Sequence, residues 1–233
     1  MTGWRNVWIA VGLIALSNLM TNEVLPSWAY VPWNVGMTVL LAWFAVHVDH
    51  RHPFDLGIDP RNLGQGLLWG GAIMAVILGG LVAGAVLPWT SDLLRDDRVG
   101  DVPFWGMAYQ VFLRIPLGTV LLEEMAFRGV LLALLIPRTT LWRAVWWSSA
   151  LFGLWHVLPA IGIEQTNPVL ERLLGAGPGR VVAVIGAVAF TTGAGYVFCF
   201  LRLRSGSLLA PVLLHVSTNS LGFLVAWALI RTT

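Results

Sequence analysis

Six ionisable side chains stand where an apolar chain should carry none. Arg114, Glu123, Glu124, Arg128, His156 and His215 all fall within long hydrophobic runs. A charge at bilayer depth costs roughly 2.5–3.5 kcal/mol on insertion scales, so such a set is tolerable only if its members face one another or a wet cavity. Their spacing suggests the partners. In Leu122-Glu123-Glu124-Met125-Ala126-Phe127-Arg128, Glu124 and Arg128 are four apart and share a helix face. The acid lies on the N-terminal side, the better orientation for a structural ion pair. Glu123, one residue round the helix, is left as a free carboxylate, the residue type of a general base. Phe152-Gly153-Leu154-Trp155-His156 adds an imidazole four residues after an aromatic, and His215 and Asn219 share a face of the last apolar run. A base, two imidazoles and a carboxamide around one cavity could turn water against a carbonyl. Glu123 with His156 would hold and deprotonate the water, and His215 with Asn219 would donate to the developing oxyanion. Ser217 is no rival nucleophile, because residues two apart point away from each other on a helix.

The elements that must hold these residues are legible in the composition. The 233 residues are 57% hydrophobic and only 11% charged, against the quarter or so usual in a soluble domain. Mean hydropathy is +0.76. Apolar segments run over Val7–Met20, Trp28–Val48, Leu67–Trp89, Phe104–Ile136, Leu141–Ile161, Val181–Leu201 and Leu208–Ile230. They are continuously apolar, whereas barrel strands would alternate. The expected fold is all-α: a polytopic transmembrane helical bundle of about seven to eight membrane helices, within one integral membrane domain spanning 1–233. The eighth element would come from the long fourth run, where Pro116 removes a backbone donor and favours a kink or a break. Trp4, Trp8, Trp28, Trp33, Trp89, Trp105 and Trp142 lie near segment ends, where an amphipathic ring suits the membrane interface. Gly66/Gly70 and Gly80/Gly84 have the spacing that lets helices approach closely.

The charge pattern excludes other classes. All 14 basic residues are arginine and exceed the acids by only two. No basic run suggests nucleic acid as a partner. Cys199 is alone, which excludes an internal disulfide and a cysteine-cluster metal site. Asp49-His50-Arg51-His52 follows a span and precedes Pro53, and reads as a solvated juxtamembrane loop. Arg114 reads as a snorkelling side chain or a site for a substrate carboxylate. Asn18 and Asn34, single polar residues in spans, are expected to join helices. Arg-only usage with abundant Ala, Gly, Val and Trp points to a GC-rich genome, hence a bacterium and its cytoplasmic membrane.

Taken in order, E-E-x-x-x-R (Glu123, Glu124, Arg128), F-x-x-x-H (Phe152, His156) and H-x-x-x-N (His215, Asn219) resemble the motifs of the CPBP intramembrane protease family. That family groups type II CAAX prenyl endopeptidases with bacteriocin-processing and self-immunity proteins. The resemblance covers roughly residues 104–222. It implies an intramembrane endopeptidase acting on a peptide or membrane-protein substrate within the lipid bilayer. Glu123 and His156 would then activate water, His215 and Asn219 would stabilise the oxyanion, and Glu124 with Arg128 would hold the site together. Family members have been described both as metalloproteases and as metal-free glutamate proteases. Glu123, His156 and His215 could bind zinc and leave a position open for water. The absence of an H-E-x-x-H pair favours the reaction without a cofactor. Two other functions use the same residues: a non-catalytic binding or immunity protein, and a proton-coupled transporter with an intramembrane relay.

Overall fold

The computed structural model describes residues 2–96, 99–163, 171–172 and 178–232, and among these every regular element is helical. Helix α1 (Thr2–Leu19) ends in a wide turn over Met20–Val24. Helix α2 (Tyr30–Trp43) is entered by a tight turn at Ser27–Ala29 and widened over Phe44–Val48. After a one-turn helix at Pro53–Leu56 comes α3 (Leu63–Val86). Helix α4 then runs unbroken over 104–135 and closes in a tight turn at Ile136–Arg138. It is followed by α5 (Leu141–Trp155) and α6 (Pro178–Ser205). The last helix, α7, starts at Leu209–Val216 and continues through Ser217–Leu221 into Gly222–Thr232.

Five of these stretches are long and apolar enough to cross a membrane: Gly3–Val24, Ser27–Val48, Pro60–Val86, Pro178–Ser205 and Leu209–Arg231. The protein is an integral membrane protein of helical build. The remaining two runs, α4 and α5, carry the first two of the three motifs, and the third, His215 with Asn219, lies on α7. Helix α4 holds Arg114, Glu123, Glu124 and Arg128, and α5 has only 15 residues. At ~1.5 Å per residue α5 reaches about 22 Å, short of the ~30 Å hydrocarbon layer.

Pro116 does not split α4 into two elements. From Gln110 to Val120 the helix is wound wide, and Leu121 N–H donates to the Pro116 carbonyl five residues back. The looser winding accommodates the proline ring and its missing donor without a break.

Helix α4 is the centre of the bundle. Every residue from Leu122 to Leu135 is buried, whereas only 11% of the most apolar stretch of α3 is. A helix buried on all faces needs neighbours all round, and α4 touches α1, α2, α5, α6 and α7. Polar staples fix its register. Asn34 Nδ2 donates to the Gly118 carbonyl at 2.6 Å, and the Tyr30 hydroxyl bonds Thr119 Oγ1 at 3.0 Å. Arg114 is half-buried, its guanidinium 4.2 Å from the Tyr30 ring centroid and its NH1 donating to Gln110 Oε1. Asn18 also joins helices as expected, donating to the Trp155 carbonyl at 3.0 Å.

Two expectations about surfaces need correction. The loop after α2 is not simply solvated. Asp49 is buried and accepts from Asn6 Nδ2 and Arg51 Nε, both at 2.7 Å, and from Arg138 NH2 at 2.5 Å. It therefore ties α1, the loop and the end of α4 together. Burial pushes its carboxyl up, but the hydrogen bonds from Arg138, Asn6 and Arg51 outweigh that and hold it below the ordinary range. Of the tryptophans at segment ends, six are exposed, but Trp33 turns inward and donates to Ser17 Oγ at 3.1 Å.

The glycine pairs also divide. A Cβ on Gly66 would meet Ser207 Oγ at 2.6 Å, and one on Gly70 would meet the Leu213 side chain at 2.7 Å, so this pair seats α3 against α7. Gly80 has nothing within 4 Å. We predict that Gly70→Leu lowers stability in detergent by about 1–3 kcal/mol through overpacking, while Gly80→Leu leaves thermal unfolding unchanged. Asp49→Asn should also destabilise at neutral pH, by about 2 kcal/mol for a lost charged hydrogen-bond hub. Because the folded carboxyl is held low, its contribution is present above the unfolded value of 3.8 and is lost as pH falls below it. Unfolding curves of the variant and the wild type should therefore converge in strong acid.

Candidate active site in the centre of the bundle

Glu123 and Glu124 sit together on α4, both buried, but they face different partners. Glu124 Oε1 takes two hydrogen bonds: from Arg128 NH1 at 3.2 Å, one turn along the same helix, and from His215 Nδ1 at 2.8 Å on α7. The expected ion pair is present, with both side chains fully buried. It also has a third member that spacing along α4 could not disclose, the histidine of another helix. Arg128 makes few hydrogen bonds for a buried guanidinium. Aromatic faces take up its charge instead, the Phe152 ring centroid at 3.9 Å and that of Phe198 at 4.6 Å.

Glu123 points the other way. Its Oε1 accepts from the Trp155 indole N–H at 3.0 Å. Its Oε2 lies 4.0 Å from His156 Nε2 and 3.8 Å from His215 Nε2, and this buried oxygen has no hydrogen-bond partner. These gaps exceed a direct hydrogen bond and fit a bridging water.

The other ring nitrogens settle the histidine tautomers. His156 Nδ1 is 2.8 Å from the Phe152 carbonyl, which can only accept, so Nδ1 carries the proton. His215 Nδ1 faces the Glu124 carboxylate, already paired with Arg128, and likewise donates. In the neutral form, both rings therefore turn a bare Nε2 towards Glu123 Oε2. Phe152 supports this arrangement beyond filling space: its carbonyl orients His156, its ring edge lies 4.6 Å from that imidazole by centroids, and its face carries Arg128. Phe198, which the motifs do not contain, stacks on His215 at 5.1 Å.

Helix α5 can deliver these groups because it lies very close to α6. A Cβ on Gly153 would fall 2.0 Å from Thr192 Oγ1 and 2.8 Å from the Val188 carbonyl, and one on Gly195 would strike the Ser149 backbone at 2.9 Å. Ser148 Oγ then fastens α5 to α4 through the Phe127 carbonyl at 2.8 Å.

Of the residues singled out by spacing, Glu123, Glu124, Arg128, His156 and His215 converge. Asn219 does not join them: its side chain is exposed, one turn beyond His215, and its Oδ1 accepts from Thr218 Oγ1 at 3.3 Å. Trp155 was the residue that motif spacing missed, although it stands next to His156 in the sequence. The zinc alternative would draw on Glu123, His156 and His215, where Glu123 Oε2 stands 4.0 Å from His156 Nε2 and 3.8 Å from His215 Nε2. Tetrahedral ligands at ~2.0–2.2 Å from one ion stand roughly 3.4 Å from each other, and among the described residues no three His, Cys, Asp or Glu side chains are arranged to hold a metal.

The fold is thus a helical membrane bundle that buries a carboxylate between two imidazoles. Comparison with known proteins places it further. Residues 105–221 match the family model for type II CAAX prenyl endopeptidase Rce1-like proteins. The chain belongs to that family, one of membrane endopeptidases acting on peptide or protein substrates. It is also 29% identical over 197 residues to an uncharacterised 24.3 kDa protein of Escherichia coli, covering 80% of this chain and 77% of the relative. No solved structure matches it.

Removing one member of a buried pair strands the other. Arg128→Met should therefore destabilise the fold by about 3–5 kcal/mol. The double variant Glu124→Gln with Arg128→Met should recover part of that loss. Chemical or thermal unfolding of the two proteins in the same detergent checks the order.

Proposed function

We propose that this chain is a metal-free, glutamate-dependent intramembrane endopeptidase of a bacterial cytoplasmic membrane. The observation that carries the reading is Glu123 Oε2, a buried acceptor without a hydrogen-bond partner, lying between two imidazole nitrogens that are bare in the neutral rings.

A water between Glu123 Oε2 and His156 Nε2 donates one proton to each and turns an oxygen lone pair outward. As the scissile carbonyl arrives, Glu123 takes a water proton and the water oxygen bonds to the carbonyl carbon. The C=O electron pair moves onto oxygen, which becomes the oxyanion. His215, after taking up a proton from solvent at Nε2, donates from there to that oxyanion. Glu124 supports the imidazolium charge through the Nδ1 bond. Collapse of the tetrahedral carbon breaks the C–N bond, and Glu123 returns its proton to the departing amine. The substrate is a peptide or a membrane protein presented within the bilayer.

The test is cleavage of a peptide library by purified protein in proteoliposomes. Glu123→Gln and His156→Ala should each lower kcat by about 10²–10⁴-fold, the usual weight of a positioned acid–base group. Activity should survive exhaustive chelation. Wild-type cleavage by both Glu123→Gln and His156→Ala overturns the reading, and loss on chelation restored by zinc overturns its metal-free form.

A further inference from the structure

We propose that Trp155 is a positioning residue for the general base: its indole N–H anchors Oε1 of Glu123 and leaves Oε2 alone to meet water. The inference rests on Glu123 being that base. The two oxygens of a carboxylate are chemically equal, and the terminal torsion of a glutamate is broad. Without an anchor, the group would turn and present either oxygen, or neither, to the imidazoles. Here the two oxygens are unequal: Oε1 accepts from Trp155 Nε1 at 3.0 Å, and Oε2 has no partner.

The indole suits this task chemically. Its N–H donates and cannot accept, so it can hold the carboxylate without competing for the proton that Glu123 must take up. Behind the ring is a cavity of about 140 Å³ lined by Val11, Ile14, Leu131, Leu151 and Leu154, with the polar Asn18 also in its wall, and Asn18 Oδ1 already accepts from Asn22 Nδ2 at 2.7 Å. The ring is itself clamped. Phe127 meets it edge-on at 5.9 Å between centroids, and Asn18 of α1 donates to the Trp155 carbonyl at 3.0 Å. Positioning thus passes from α1 through Trp155 to a carboxylate on α4.

Shape and hydrogen bonding can be separated by replacing Trp155 with benzothienylalanine, an isostere in which sulfur takes the place of the N–H, with Trp155→Phe as a second variant. Both are assayed as full-length protein in proteoliposomes on a peptide that the wild type cleaves, with thermal unfolding measured in parallel. The isostere should lose about 10- to 100-fold in kcat, the scale of a misplaced catalytic group, with KM and unfolding temperature unchanged. Trp155→Phe should fall to a similar kcat. An isostere within about twofold of the wild-type kcat overturns the proposal, as does a loss of rate that only follows a fall in unfolding temperature. Glu123→Gln is run alongside. If it cleaves normally, the general-base reading itself fails. If it is inactive while the isostere is fully active, only the role of Trp155 is withdrawn.

Discussion

The structure depends on one oxygen atom, Glu124 Oε1, which accepts from Arg128 and His215 at once in a region with no measurable solvent exposure. Neither charge is tolerable there alone, since removing an ion from water and leaving it unpaired is among the larger penalties a fold can meet. Each requires the other, and the aromatic faces of Phe152 and Phe198 must lie over the guanidinium. That requirement fixes α4, α5, α6 and α7 relative to one another. The apolar contacts around it are many but interchangeable, because helix faces in lipid gain little from the hydrophobic effect. The polar cluster is what selects one arrangement among them.

The same cluster prepares the reactive groups. Glu124 holds the proton of His215 at Nδ1, the Phe152 carbonyl does the same for His156, and both rings then present Nε2 to the neighbouring carboxylate. Two adjacent glutamates on one helix acquire different duties by this means. Glu124 Oε1 takes donors from Arg128 and His215, whereas Glu123 Oε1 takes the Trp155 indole and its Oε2 lies between the two imidazoles. The difference lies in which helices the two side chains face.

Much of this was legible in the sequence because charge is scarce there. In a chain with 11% charged residues, an acid and an arginine four apart in an apolar run announce a pair, and the pair is found. The seven apolar runs correspond to the seven long helices among the described residues, and Gly66 and Gly70 lie where α3 approaches α7. What was not legible has a common cause. Pro116 announces a break only if the turns around it are ordinary, and wide winding is a property of the folded helix. The bond from His215 to Glu124 and that from Trp155 to Glu123 join residues 91 and 32 positions apart. No helical period relates such residues; only the arrangement of the helices does. Asp49 was misread for the same reason, since its three donors come from α1, its own loop and the far end of α4.

The short reach of α5 has a consequence for the membrane itself. A bilayer relieves a helix shorter than its own hydrocarbon thickness by thinning around it, at a modest elastic cost. His156 caps the C-terminal end of that helix and is partly exposed. Thinning at α5 would bring headgroup water nearer to the imidazole at its end. Lipid thickness would thereby bear on how wet this end of the bundle is, drier in a thicker bilayer and wetter in a thinner one.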